Sequence, residues 1–240
     1  MAVYFLLGNT TIKMSRRPGV TEVFPVRDAD PSLAAALAPH RGEIAVAACV
    51  NPSCEPILQK ACFAAGLKAP LYAGRDFPAR LEMAVESPHT VGIDRILNVK
   101  AAYAKACRAA IVVDFGTAVS ISACDSAGRF TGGAILPGLA MALKALADGT
   151  AVLPEIAAGR PKSALGANTG EAIRSGTYYG SLGAAKEIAA RIQAILGDGA
   201  KVFATGGGSA IYGDDMPAEW VLAPGLTMDG LRLAYNESLK

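Results

Sequence analysis

The chain has 240 residues, 52% hydrophobic and 18% charged, and its 23 basic and 21 acidic side chains leave a net charge of +2. Such a composition can bury a sizeable core and excludes a disordered chain; a charge this near zero, without a Lys/Arg cluster, excludes a surface built for nucleic acid. The longest charge-free apolar runs, Ile44 to Val50 and Gly132 to Leu143, fall short of the ~20 residues that a membrane span needs. Ala2 to Leu7 is too short for the core of a signal peptide. Five cysteines (Cys49, Cys54, Cys62, Cys107 and Cys124) lack metal-ligand spacing and read as reduced thiols of a cytoplasmic protein.

In chain order, Val3 to Leu7 is a β-like run that ends in Gly8-Asn9-Thr10-Thr11. Ile12 to Met14 and Val20 to Val26 are the next two strands, divided by the Arg16-Arg17-Pro18-Gly19 turn. A helix follows over Pro31 to Ala38, then a continuous apolar run, Ile44 to Val50, of the kind a buried parallel strand shows. Glu55 to Ala65 is helical and stops at Gly66, and Arg95 to Ala110 has helical periodicity. The order then restarts. Ala110 to Val113 runs into Asp114-Phe115-Gly116-Thr117, Val119 to Cys124 and Phe130 to Ile135 form a hairpin, and helices fit Leu139 to Ala147 and Thr169 to Leu196. Val202 to Ala204 is the last core strand and leads into Thr205-Gly206-Gly207-Gly208. This internal repeat predicts two α/β halves, 1–100 and 101–240, packed with a cleft between them.

Two glycine turns in repeated positions after buried strands are suited to phosphate, because glycine lets the backbone approach and threonine hydroxyls add donors. An Asp beside such a turn, as at Asp114, can hold a cation or orient a water against the phosphate charge. Gly206-Gly207-Gly208 tolerates a flat ligand against its backbone, or is a plain helix entry. Gly92-Ile93-Asp94-Arg95 pairs a carboxylate able to take a hydroxyl proton with a guanidinium able to hold an anion; a capping Asp with a solvated Arg is the bland alternative. Gly132-Gly133-Ala134-Ile135-Leu136-Pro137-Gly138 is too rich in glycine for an ordinary strand end and predicts close approach of a ligand or a neighbour. Asn168-Thr169 opens the long helix as a ligand-binding terminus or as a simple cap.

These motifs, together with Gly170-Glu171-Ala172-Ile173-Arg174-Ser175-Gly176 and the closing Pro224-Gly225-Leu226-Thr227-Met228-Asp229-Gly230-Leu231, resemble those of the type III pantothenate kinases. That family is a branch of the acetate kinase, sugar kinase, heat-shock chaperone and actin superfamily, and the resemblance covers nearly the whole chain. It implies a duplicated ribonuclease H-like (actin-like ATPase) fold, a cytoplasmic homodimer, and ATP-dependent phosphorylation of pantothenate to 4'-phosphopantothenate, the first step of coenzyme A biosynthesis. By position, Leu6, Leu7, Gly8, Asn9, Thr10, Thr11, Ile12 and Lys13 are the implied first nucleotide-binding segment, with Thr117 as a further ATP contact. Asp94 is the implied general base on the pantothenate hydroxyl. Gly92, Ile93, Asp94 and Arg95 would lie against pantothenate, and Thr169 would hydrogen-bond it. Asp114 would bind a monovalent cation, potassium or ammonium, and magnesium would accompany ATP.

The sequence departs from the family twice. Members open with Asp-x-Gly-Asn-Thr, whereas this chain has Leu6 at the Asp position, and leucine cannot manage magnesium-bound phosphates. The family's Tyr-x-Asn-Pro ahead of the Gly-x-Asp-Arg motif is here Val85-Glu86-Ser87-Pro88, which alters the substrate pocket. Three readings follow: an active kinase adapted at its metal site, a non-catalytic nucleotide- or pantothenate-binding homologue acting through a partner, and a kinase of another small hydroxylated substrate.

Overall fold

The computed structural model describes residues 2–197 and 199–240, the side chains of Asp28 and Asp30 apart. The chain divides into two compact units, one holding the residues up to Lys105 together with Gly225–Lys240, the other Ala106–Pro224.

In the first unit, β1 (Ala2–Leu7), β2 (Thr11–Ser15) and β3 (Glu22–Pro25) are followed by α1 (Ala29–Leu37), β4 (Ile44–Cys49), α2 (Glu55–Ala64), β5 (Leu71–Tyr72) and α3 (Ile93–Ala106). The sheet order is β3-β2-β1-β4-β5. β1, β2 and β3 pair antiparallel, whereas β4 runs parallel to β1 and β5 parallel to β4. Alternation along β1 sends Val3, Phe5 and Leu7 into a core with Leu33, Leu37, Leu58 and Cys62 of α1 and α2. Tyr4 and Leu6 point to the opposite face, toward Leu97 of α3. Because both faces of β4 are covered, its sequence reads as an unbroken apolar run. α3 starts two residues before the expected Arg95 and stops at Ala106, where Cys107 turns left-handed (φ 53°) and frees Ala110 for the next strand.

The second unit contains β6 (Ala110–Phe115), β7 (Ala118–Cys124), β8 (Phe130–Pro137), α4 (Leu139–Asp148), α5 (Thr169–Leu196), β9 (Lys201–Thr205), α6 (Ser209–Tyr212) and β10 (Val221–Leu222). Its order, β10-β9-β6-β7-β8, is the first sheet's order read from the other edge. Again the opening strand is central, with an antiparallel meander on one side and parallel strands on the other. Two sheets of this topology make a duplicated ribonuclease H-like fold. Ile111, Val113 and Phe115 of β6 pack with Tyr178, Leu182, Ala185 and Ala189 of α5. Among the described residues no helix is long and apolar enough to cross a membrane.

The last helix, α7 (Leu226–Ser238), returns to the first unit. Met228, Leu231, Ala234 and Tyr235 are buried with Tyr4, Val46, Ala48 and Leu97. Gly230 is pressed against the Leu97 carbonyl, where a Cβ would collide, and the Thr227 hydroxyl donates to Asn98 Oδ1 at 2.7 Å. Lys105 pairs with Asp229 at 3.0 Å, and the buried Lys100 with Glu237 at 2.7 Å. The closing Leu-Thr-Met-Asp-Gly-Leu motif is therefore the α3–α7 contact. A boundary at 100/101 differs from this division at α7, because periodicity reveals that a helix has an apolar face but not which sheet covers it.

Candidate functional site

The Gly8-Asn9-Thr10-Thr11 segment closes the β1–β2 hairpin. Gly8 N–H donates to the Thr11 carbonyl at 3.0 Å, and a Cβ on Gly8 would stand 3.1 Å from that oxygen. Asn9 and Thr10 form the exposed tip. From the other side, the Cys54 thiol donates to the Gly8 carbonyl at 3.6 Å, and the Val50 and Asn51 N–H groups donate to that of Leu7 at 2.9 and 3.2 Å. Leu6 is half-buried in an apolar cluster that also takes in Ile93, Ile96 and Phe77. Lys13 lies directly across from Leu6 in the β1–β2 register, so the two side chains share one face.

That cluster brings α3 to the end of β1. The Gly92 carbonyl accepts from the Arg95 and Ile96 N–H groups at 3.1 and 3.3 Å, which places Asp94 in the first helical turn rather than at the cap. The Asp94 carboxylate folds back over Gly92: a Cβ there would stand 2.6 Å from Asp94 Oδ1. Only glycine leaves the carboxylate that position. Burial raises the Asp94 pKa above the ordinary carboxylate value, against the opposing pull of the Arg95 backbone N–H and guanidinium. Burial likewise lowers that of Arg95, with Asp94 opposing. A carboxylate held closer to neutrality is a better proton acceptor at physiological pH than a solvated one. Just upstream, Val85-Glu86-Ser87-Pro88 feeds a single 3-10 turn, Pro88–Thr90, closed by the Thr90 hydroxyl donating to Ser87 O at 2.8 Å.

In the second unit three glycine turns gather at the end of β6. Gly208 N–H donates to Phe115 O at 2.8 Å, Gly138 N–H to Thr117 O at 3.1 Å, and Gly116 N–H to Ala118 O at 3.1 Å. Gly206 adopts φ +95° and lies against the Asp114 carboxylate and the Phe115 backbone, in space that a Cβ would fill. Asp114 is half-buried, with Ser120 and Thr205 as its register neighbours on either side. Beside these turns is an apolar cavity of about 110 Å³ lined by Phe115, Val119, Leu139, Ala158, Ile211 and Tyr212. Its walls come from four separate stretches of chain, so no local sequence signal announces it.

At the start of α5, Asn168 Oδ1 accepts from Glu171 N–H at 3.0 Å, and Glu171 Oε2 accepts from Ala167 N–H at 2.9 Å. Asn168 is thus a structural cap, leaving the Thr169 hydroxyl exposed on the first turn. The glycine-rich stretch of β8 answers to neighbours: Gly133 admits the backbone of Ile121, and Gly138 that of Thr117. The long connection 149–168 is tied down by Arg160 to Asp215 at 2.8 Å, with Tyr178 Oη donating to the same carboxylate at 2.7 Å.

Leu6, Leu7, Gly8, Asn9, Thr10, Thr11, Ile12 and Lys13 thus lie in the first unit, as do Gly92, Ile93, Asp94 and Arg95, with Leu6 and Ile93 on one apolar cluster; Asp114, Thr117 and Thr169 lie in the second. Among the described residues no group of three His, Cys, Asp or Glu could hold a metal ion by itself.

A model of the type III pantothenate kinase family matches residues 7–191. A type III pantothenate kinase of Dehalococcoides mccartyi is 38% identical over 168 residues, which are 70% of this chain and 65% of that protein. The Gluconobacter oxydans enzyme of the same name is 40% identical over 169 residues, 70% and 63% of the two chains. That of Anaeromyxobacter sp. strain K is 33% identical over 204 residues, 85% and 80%. The match thus spans just under two thirds of the Dehalococcoides and Gluconobacter proteins. In fold the chain is similar to the crystal structure of a Baf-family protein from Campylobacter jejuni, with a TM-score of 0.65, 18% identity and 98% of each chain covered.

Proposed function

The chain belongs to the type III pantothenate kinase family, and from that premise we propose that it transfers the γ-phosphoryl group of ATP to the hydroxyl of pantothenate, giving 4'-phosphopantothenate for coenzyme A synthesis. The observation that carries this reading is Asp94, a carboxylate laid over a glycine at a helix start and pushed toward neutrality by burial. In this role Asp94 accepts the substrate hydroxyl proton as the oxygen attacks phosphorus. Arg95 beside it balances negative charge, and the exposed Thr169 hydroxyl hydrogen-bonds pantothenate. Phosphoryl transfer asks a protein for positioning and charge neutralisation more than for covalent chemistry, which suits backbone turns and single charged groups.

Gly8 to Thr11 and Thr117 are the proposed ATP phosphate contacts. At Asp114 the residues fit a cation: one carboxylate lies among glycine backbone with no Cβ in the way. A potassium or ammonium ion there would neutralise phosphate charge, and magnesium would arrive with ATP and keep phosphate oxygens and water as its remaining ligands. At the end of β1 the residues do not fit a metal, because Leu6 is apolar and Lys13 opposite is a cation. We place the enzyme in the cytoplasm as a homodimer; exposed Ile135, Met141, Val152 and Leu165 of the second unit support a second copy as cover. The test is mass-spectrometric detection of phosphopantothenate from purified full-length chain, ATP, magnesium and potassium. Folded protein that yields no product overturns the proposal.

A further inference from the structure

We propose that the end of β1 holds the nucleotide's polyphosphate through the Lys13 ammonium and not through a metal ion, so that nucleotide binds this chain without magnesium. The identity of the ligand rests on the kinase reading above; the role of Lys13 rests on the geometry below.

β1 and β6 are the opening strands of two sheets of the same topology, and each ends at a glycine turn. Leu6 stands two residues before Gly8, as Asp114 stands two before Gly116. Their surroundings are inverted in charge. Across the antiparallel ladder Asp114 faces Ser120, whereas Leu6 faces Lys13. On the parallel side Asp114 has Thr205 and Leu6 has Ala48. The second unit therefore sets an anion among hydroxyls, where a cation is the fitting guest. The first sets a cation among apolar groups, where an anion is.

Lys13 is the only charged side chain between residues 2 and 15. Among the described residues no acidic side chain pairs with it. Leu6 and Ile93 pack against one buried cluster, so the position that could have held a carboxylate beside Lys13 is committed to the apolar cluster that seats α3. An ammonium on a four-carbon stem binds phosphate as a mobile point charge and needs no partner geometry beyond reach. The polar Asn9 and Thr10 tip lies on the same hairpin. A carboxylate at position 6 would sit about 5 Å from Lys13 at the Cβ atoms, as directly opposed ladder residues do. It would occupy the lysine and call for a metal to bridge to phosphate; leucine leaves the lysine available.

The experiment is calorimetric titration of the full chain with ATP and with inorganic tripolyphosphate, first in EDTA and then in magnesium. Wild type is expected to bind both in EDTA, and Lys13→Met to weaken metal-free binding by about tenfold or more, with Lys13→Arg restoring most of it. Leu6→Asp, which leaves Lys13 in place, is expected to weaken metal-free binding several-fold and to make binding depend on magnesium. Tripolyphosphate binding in EDTA that is equal in wild type and Lys13→Met overturns the proposal, as does wild-type binding seen only with magnesium; circular dichroism melts establish that each variant is folded. Failure to phosphorylate pantothenate with Lys13-dependent polyphosphate binding intact overturns the kinase reading alone. Turnover with an ATP KM unchanged in Lys13→Met overturns this proposal alone.

Discussion

The two sheets share a strand order but use their glycines differently. In the first unit Gly8 tightens a two-residue hairpin and meets only the Thr11 carbonyl at 3.1 Å, a distance that a small shift relieves. In the second, Gly206, Gly208 and Gly138 are wedged against the β6 turn, and Gly206 is also left-handed at φ +95°. One turn is formed by its own hairpin, the other by three segments that meet. Repeating a topology fixes where a strand ends and its turn begins, but not how much of the fold leans on that turn. The charged chemistry has diverged as well: the first unit carries the proposed base and a lysine set across from leucine, the second a carboxylate among hydroxyls.

This contrast can be broken first at the two acids. Asp94→Asn is expected to lower kcat by about 10²- to 10⁴-fold with little change in the KM for ATP, the size of effect that general-base removal has. Asp114→Asn is expected instead to raise the ATP KM and to weaken the response to potassium. Steady-state kinetics with ATP and potassium varied separate the two, and matching kinetic defects would erase the assigned division of labour. The glycines give the next largest effect. Gly206→Ala meets both a left-handed φ and an occupied space, and should cost about 3 kcal/mol; Gly8→Ala should cost about 1 kcal/mol or less. Urea titration of both variants measures this, and equal losses would mean the two turns are equally embedded.

The smallest effect concerns Asp94 and pH. Its pKa is raised in the folded state by burial, so folding favours the protonated acid. That contribution is present in full below the unfolded carboxylate value, near pH 4, and is lost as pH rises through the folded one. Asp94→Asn should therefore raise Tm by a few degrees at most at neutral pH, and the gain should vanish in acid. Thermal melts from pH 3 to 8 check the sign. A variant that is less stable than wild type at pH 7 would show that the carboxylate's hydrogen bonds outweigh its burial.

Much of this arrangement was legible in the amino-acid order. The apolar runs of β1, β4 and β6 and the helix Thr169–Leu196 follow directly from periodicity and from glycine and asparagine boundaries. β5 and β10 were not, because two residues carry no period, and their pairing to β4 and β9 exists only once the sheets form. At the site, Gly92-Ile93-Asp94-Arg95 was readable as chemistry, but not as a carboxylate resting on a glycine. Lys13 sat inside a predicted segment without distinction until the register set it across from Leu6. Contacts between residues far apart in the chain, such as Gly230 on the Leu97 carbonyl, leave only a lone glycine in the sequence as their trace.

The return of α7 to the first unit has a consequence for biosynthesis. Residues 106–224 form an uninterrupted stretch, so the second unit can fold as soon as that stretch leaves the ribosome. The first unit is begun before that stretch and completed after it. Until residues 225–240 emerge, Tyr4, Val46 and Leu97 lack the Met228, Leu231 and Tyr235 side chains that cover them. The segment translated first thus waits, with an apolar face uncovered, through the synthesis of its entire neighbour. A stop that removes α7 would leave that face bare in every molecule, making the loss of one helix a solubility defect rather than a mild truncation.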